Sequence, residues 1–355
     1  MPETRKILVT GAGGFIGGRV VEVLHRLDAG EVVAGMRRWA TGARVGRLPV
    51  ELVRCDIRDA GQVRDALKGV THVVHCAVGE HSSTVDGTRT LLAGTKEAGV
   101  QRVVHLSTVD VYGAPEGEID ESFPLTSMGK AYGDAKIEAE RVCQEAAKDG
   151  VPVTILRPTL VHGPFSATWT VAYAQRLQKS PWLVAEADAQ GTCNLVYVYD
   201  LVGAILAAFD ADTEPGAAYN INGPERPTWH EYFTALNAAM GLPPLQVATP
   251  TGARAKAAVV QPFRKTAKVL ITHFQPQIMG MAQRSQALRG LMVQAAGPIR
   301  TTPAPTEFAV YGRRASYSTE KAEKELGYRP RFPLGEALPL AAAWLKHHGY
   351  VTGAS

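Results

Sequence analysis

Three groups of residues along this chain carry chemistry that belongs together. Thr10-Gly11-Ala12-Gly13-Gly14-Phe15-Ile16-Gly17 follows an apolar run. Tyr132 and Lys136 stand four residues apart, downstream of Ser107-Thr108-Val109-Asp110-Val111-Tyr112-Gly113. On a helix, positions i and i+4 share a face, so the phenol and the ammonium would be neighbours. A free phenol ionises near pH ~10 and is a poor base at neutral pH. An adjacent ammonium, together with an oxidised nicotinamide, would stabilise the phenolate and lower that value. Tyr132 could then take the proton of a substrate hydroxyl as hydride leaves, or return it in reduction. Thr108 would hydrogen-bond the reacting oxygen. The hydride needs a dinucleotide, and the glycine turn is suited to one.

That turn reads G-x-x-G-x-x-G, one residue longer at the first gap than the commonest dinucleotide fingerprint. Gly11 permits the tight turn, Gly14 lets backbone approach a phosphate, and Gly17 lets the helix lie against the strand. With Gly13, Phe15 and Ile16 they place free N–H groups at a helix start, where the dipole favours a pyrophosphate.

The elements that must hold these groups alternate up to about residue 160. Strands are expected at Lys6–Thr10, Glu31–Gly35, Leu52–Cys55, Val73–Cys76, Arg102–Ser107 and Val153–Arg157. Helices are expected at Phe15–Leu27, Ala60–Leu67, Val85–Ala98 and Ala131–Lys148. Such alternation implies right-handed crossovers and an α/β, Rossmann-type, doubly wound parallel sheet. Leu195–Val198 and Ala218–Ile221 read as strands returning to that sheet, with helix Leu201–Phe209 between them. The dinucleotide-binding domain is thus 1–162 plus about 191–221. About 163–190 plus 222–355 form a smaller, mostly C-terminal substrate domain that closes with helix Leu334–His347, in which Pro339 is a source of a kink.

Composition narrows the class. The 355 residues are 45% hydrophobic and 20% charged with net charge +4, ordinary for a soluble globular protein. Cys55, Cys76, Cys143 and Cys193 show no metal-ligand spacing, so no metal is expected, and reduced thiols fit a cytoplasmic protein. No signal peptide is expected ahead of the first strand, and no apolar run reaches the ~18 residues of a membrane span. From Tyr232 to Thr306 there is no Asp or Glu but eight cations, Arg254, Lys256, Arg264, Lys265, Lys268, Arg284, Arg289 and Arg300. That stretch is either a solvated helix or a surface for an anionic ligand, an acidic carrier or a lipid face. With few aromatics alongside, nucleic acid is not expected as a partner.

The ordered set of motifs resembles the extended short-chain dehydrogenase/reductases of the NAD-dependent epimerase/dehydratase family. The pieces are the glycine turn, Cys55-Asp56-Ile57-Arg58-Asp59, His75-Cys76-Ala77, Ser107-Thr108, Val111-Tyr112-Gly113, Tyr132-x-x-x-Lys136, Arg157-Pro158-Thr159 and Gly163-Pro164. Tyr219-Asn220-Ile221 and Leu326-Gly327-Tyr328 fit as well, and only about 245–312 falls outside. The resemblance implies catalytic roles for Thr108, Tyr132 and Lys136, with Lys136 also on the nicotinamide ribose. It implies Asp56 and Ile57 at the adenine, Cys76 and Ala77 beside the ribose, and Pro158 and Thr159 at the nicotinamide. It also implies a homodimer through Val85–Ala98 and Ala131–Lys148.

Departures from the family pattern narrow the reaction. The second strand ends Met36-Arg37-Arg38 without the acid that would hold an NAD ribose, so Arg37 favours NADP(H), with NAD(H) the other choice. Val109 follows Thr108 where dehydratases of the family carry an acid, and only Asp110 is acidic. Asn194-Leu195-Val196-Tyr197-Val198 lacks the preceding arginine with which sugar-nucleotide epimerases grip phosphate. His162 replaces a usual tyrosine and is expected as a packed histidine. The leading expectation is an NAD(P)-dependent oxidoreductase that interconverts a secondary alcohol and a ketone in a small-molecule substrate, with the basic stretch pointing to an anionic or carrier-linked one. The alternative is a nucleotide-sugar epimerase that retains NAD. A non-catalytic dinucleotide sensor would have no reason to keep Thr108, Tyr132 and Lys136.

Overall fold

The computed structural model describes residues 5–178, 184–246 and 304–351. These fall into two compact units. The first draws on Met1–Ser166, Asn194–Glu225 and Ala315–Pro333; the second on Ala167–Cys193, Arg226–Arg314 and Leu334–Ser355.

The first unit is built on a seven-stranded parallel sheet. In chain order its strands are β1 (Lys6–Thr10), β2 (Glu31–Met36), β3 (Glu51–Arg54), β4 (His72–His75), β5 (Arg102–Leu106), β7 (Val153–Pro158) and β10 (Ala218–Ile221). Their spatial order is β10-β7-β5-β4-β1-β2-β3. Ile7, Leu8 and Val9 are all fully buried, the signature of a parallel strand covered on both faces. One face packs Ile7, Val9, Val74 and Val104 against α1 (Phe15–Arg26) and α6 (Val198–Asp210). The other packs Leu8, Val73 and Val103 against α2 (Ala60–Ala66), α3 (His81–Glu97) and α4 (Ala131–Lys148). Each such side chain contributes roughly 1.5–3 kcal/mol by leaving water. β1 pairs with β2 on one side and β4 on the other, with Thr10 opposite Gly35 and His75. Strand order reverses there, which opens a crevice at the carboxyl ends where Gly11 and Cys76 begin their loops.

Two sequence expectations need correction. Leu195–Tyr197 (β9) does not return to the main sheet. It pairs with β8 (Leu160–His162) in a separate two-stranded ribbon. The chain past Pro158 starts a new short strand, and this strand is β9's partner. The segment 315–333 does not belong with the smaller domain either. β11 (Ala315–Tyr317) pairs with β6 (Gly117–Ile119), a contact no local pattern announces.

The second unit gathers α5 (Ala172–Leu177), α7 (Trp229–Ala239), α8 (Pro305–Tyr311) and α9 (Leu334–His347), the last with Pro339 inside it. Thr228 and Glu231 form a capping box that starts α7. Tyr173, Trp229, Phe233 and Tyr311 form an aromatic core, and Arg176 bonds Glu307 at 2.6 Å. The basic stretch from Arg254 to Arg300 lies outside the described residues. No described helix is long and apolar enough to cross a membrane.

Candidate active site

A glycine-lined cradle opens at the switch point. Gly11 takes φ +68°, and a Cβ there would lie 2.8 Å from the Ala77 nitrogen. A Cβ on Gly17 would lie 2.4 Å from the Gly11 carbonyl oxygen, so α1 and the turn touch backbone to backbone. At Gly14 the nearest atom is the Gly11 carbonyl oxygen at 3.2 Å, which leaves its outer side open. Gly14 caps α1 without a side-chain hydrogen bond, and the first turn has no acid. A helix start with uncapped N–H groups and no negative charge fits a pyrophosphate.

Beside this turn lies a cavity of about 250 Å³. Gly11, Gly13, Gly14, Arg37, Asp56, Ile57, Cys76 and Ala77 line it, so most of the expected dinucleotide residues converge. Arg38, Thr41, Arg58, Val78 and Ser83 also line it, and sequence reasoning missed them. Arg38 and Arg58 stand within or beside motifs already singled out. Thr41 gave no signal: the fold lays its side chain over Gly13, where a Cβ would be 2.5 Å from Oγ1.

Asp56 is already engaged. Arg58 donates to it from Nη2 at 2.7 Å, Nε at 3.0 Å and the backbone at 3.1 Å. This pairing holds the carboxyl below the usual range despite partial burial, and the charge of Arg37 adds to the effect. Two residues expected at the nicotinamide do not line the cavity. Pro158 ends β7, and the buried Thr159 hydroxyl donates to Asn222 Oδ1 at 3.0 Å while its N–H donates to Ile221 at 2.9 Å. Phe15 and Ile16 pack against the core.

The proton-handling groups sit on α4 and at the end of β5. Lys136 is buried, and its Nζ donates to the Leu106 carbonyl at 2.7 Å. Burial pushes its ammonium down to about 8. Its charge also acts on the cavity residue Cys76, whose thiol burial pushes up to about 12. Tyr132, in the first turn of α4, is 48% exposed over the whole residue, yet crowding around its phenol dominates its chemistry. Burial pushes it up to about 12, the negative charge of Asp110 acts in the same direction, and a hydrogen bond with Thr108 opposes them. The oxidised nicotinamide on which the expected lowering depends is not among these influences. Lys136 donates instead to the Leu106 carbonyl. The structure does bring Thr108 and Tyr132 together.

Residues 7–222 match the NAD dependent epimerase/dehydratase family. The chain belongs to this family. It is an enzyme of the extended short-chain dehydrogenase/reductase class, whose members here are dehydrogenases, epimerases and dehydratases. It is 31% identical over 257 residues to sterol demethylase protein B of Methylococcus capsulatus, covering 68% of this chain and 77% of that one. It is 30% identical over 263 residues to a 3 beta-hydroxysteroid dehydrogenase/Delta 5→4-isomerase of Mycobacterium tuberculosis, covering 67% and 70%. Its fold matches UDP-glucuronic acid 4-epimerase from Bacillus cereus in complex with NAD, with TM-score 0.70 and 19% identity over 96% of each chain.

Two further family positions complete the site. His162 is a packed histidine, 2% exposed against the Tyr197 ring, and burial pushes it down to about 3. Asp110 lies near the Tyr132 phenol, while its N–H donates to Thr108 Oγ1 at 3.2 Å. Among the described residues no cluster of His, Cys, Asp and Glu could hold a metal ion.

Proposed function

We propose that this enzyme reduces a ketone to a secondary alcohol, reversibly, with NADP(H) exchanged at each turnover. The observation that carries this reading is the hydrogen bond that brings the Tyr132 phenol to Thr108. A bound nicotinamide supplies or accepts the hydride. Thr108 and Tyr132 hold the carbonyl oxygen between two hydroxyls. As negative charge grows on that oxygen, Tyr132 donates its proton to it. A phenol kept neutral by burial is already in the donor form, so reduction needs no prior deprotonation. In the oxidative direction Tyr132 must first lose its proton, which a positive nicotinamide ring nearby would favour. Lys136, held by the Leu106 carbonyl, has further N–H donors to offer a ribose.

Arg37 supports NADP(H). β2 ends at Met36 with no acid, and two cations, Arg37 and Arg38, line the cavity wall next to it. A guanidinium fork suits a 2′-phosphate. The sterol and hydroxysteroid names of the two relatives support an apolar alcohol or ketone as substrate. Pairing of two copies through α3 and α4 would be ionic: the exposed faces carry Asp86, Arg89 and Lys96 on α3, and Arg141, Glu145 and Lys148 on α4.

The test is Tyr132→Phe, assayed with NADPH and a 3-ketosteroid, with cofactor identified in the freshly purified protein. Turnover should be lost while NADPH affinity stays within about two-fold. Retained turnover would remove the role of Tyr132. Tightly held NAD+ that survives dialysis would replace the reductase with a nucleotide-sugar epimerase.

A further inference from the structure

Behind the proton-handling groups lies a buried ion pair that the reaction does not touch. Arg157, at the end of β7, and Glu140, one turn beyond Lys136 on α4, are 5% and 1% exposed. Arg157 donates from Nη2 to Glu140 Oε2 at 2.6 Å and from Nε to Oε1 at 3.0 Å. Its remaining arm, Nη1, donates to the Tyr112 hydroxyl at 2.8 Å, and Tyr112 donates on to Asn220 Oδ1 at 2.8 Å. The guanidinium also lies over the Tyr112 ring, 5.0 Å from its centroid.

What these atoms join is specific. Tyr112 ends the short 3-10 turn Val109–Tyr112, which Thr108 caps. Glu140 belongs to the helix that carries Tyr132 and Lys136. The Arg157 fork therefore ties the turn carrying Thr108 to the helix carrying Tyr132, and does so behind the two hydroxyls. Eight helical residues separate Tyr132 from Glu140, about 12 Å at ~1.5 Å per residue. Any tilt of α4 about the far anchor is read out as displacement at the phenol. Stability alone is a poor reason for such a pair, since well-packed apolar residues of similar volume usually serve as well or better. The planar fork, by contrast, fixes direction as well as distance.

We propose that Glu140, Arg157 and Tyr112 are positioning residues that set the separation between the Thr108 and Tyr132 hydroxyls. This rests on the acid–base reading of Tyr132 given above. Cofactor binding at the glycine cradle does not depend on them, since none of the three lines that cavity.

The experiment is a phenolate titration by ultraviolet difference absorbance on NADP+-saturated protein, taking wild type minus Tyr132→Phe to isolate one tyrosine. In Glu140→Gln and Arg157→Lys that step should move up by about one pH unit or more, because the Thr108 hydrogen bond no longer favours the phenolate. Turnover of NADPH with a 3-ketosteroid should fall about 10- to 100-fold, as expected for a misplacement near 1 Å. NADPH affinity should hold within about two-fold, and Glu140→Asp should recover part of both signals. Tyr112→Phe removes a single hydroxyl, so it decides the matter if the charge variants fail to fold; it should show the same upward movement. An unmoved step in the folded variants overturns the inference. If wild type and Tyr132→Phe titrate alike, the acid–base role of Tyr132 fails first, and this inference with it.

Discussion

His105 offers a quantitative test of how the site is insulated. It lies on β5, 1% exposed, with its ring 5.0 Å from that of His75. His75 is satisfied at both nitrogens, by Thr10 at 2.8 Å and Thr88 at 3.0 Å. Neither ring nitrogen of His105 has a protein partner among the described residues. Burial, the Lys136 charge and His75 all press it well below its ordinary 6.5. The folded protein therefore keeps it neutral where the unfolded chain would protonate it. Below pH 6.5 the unfolded state binds the extra proton, so stability falls as pH falls. At pH 5 the loss is about 2 kcal/mol for one such histidine, 1.5 pH units at roughly 1.36 kcal/mol each. His72, His75 and His162 are pushed down to about 4, 3 and 3 and add comparable amounts. Wild type should thus become less stable as pH falls below about 6.5. His105→Phe should lose about 2 kcal/mol less between pH 7 and pH 5, and should be more stable at pH 7 because an unpaired buried polar group is gone. Urea unfolding followed by circular dichroism across that range measures both. Parallel pH dependences for wild type and His105→Phe would refute the reasoning.

Other outcomes follow from the same geometry. Arg37→Ala should weaken NADPH about ten-fold, or about 1.4 kcal/mol, while NADH changes little; fluorescence titration giving equal losses would end the NADP preference. Gly17→Ala puts a methyl 2.4 Å from the Gly11 carbonyl oxygen, so the turn must open. NADPH affinity should drop about 100-fold, and unchanged binding would show that the cradle is not the cofactor site. Lys136, pushed down to about 8, is charged below that pH and loses its proton above it. Turnover at saturating cofactor should decline above about pH 8, and Lys136→Arg should carry that limb to higher pH; a limb that stays put assigns it to another group.

Much of this fold is legible because its strands and helices obey local periodicities. Ala131–Lys148, Ala218–Ile221 and Leu334–His347 fall where apolar spacing places them. The start of α3 is less legible. The apolar pattern begins at Val85, but the helix begins at His81, and the weak helix formers Ser82, Ser83 and Thr84 are held by a bond between Thr84 Oγ1 and the Gly79 backbone. Pairings across the chain are not written locally, which is why β9 with β8 and β11 with β6 escaped the sequence. Among the site residues, backbone shape is announced by glycines, so the cradle was readable. Side-chain competition is not. Arg58 claims Asp56 and Asn222 claims Thr159 because neighbours in three dimensions reach them first.

The raised Tyr132 phenol bears on the proposed order of events. A tyrosine–lysine pair at helical spacing invites a charge argument, but the charge that acts on this phenol is that of Asp110. Lys136 has spent a hydrogen bond on Leu106 inside the core, where its ammonium is itself penalised. Burial thus pushes the Tyr132 phenol up and the Lys136 ammonium down. On the proposed role, the positive ring of the dinucleotide would supply the basicity that oxidation needs at Tyr132. On the proposed acid–base role of Tyr132, alcohol oxidation would require the cofactor to bind first. Ketone reduction has no such requirement on the phenol, since the proton it delivers is already in place.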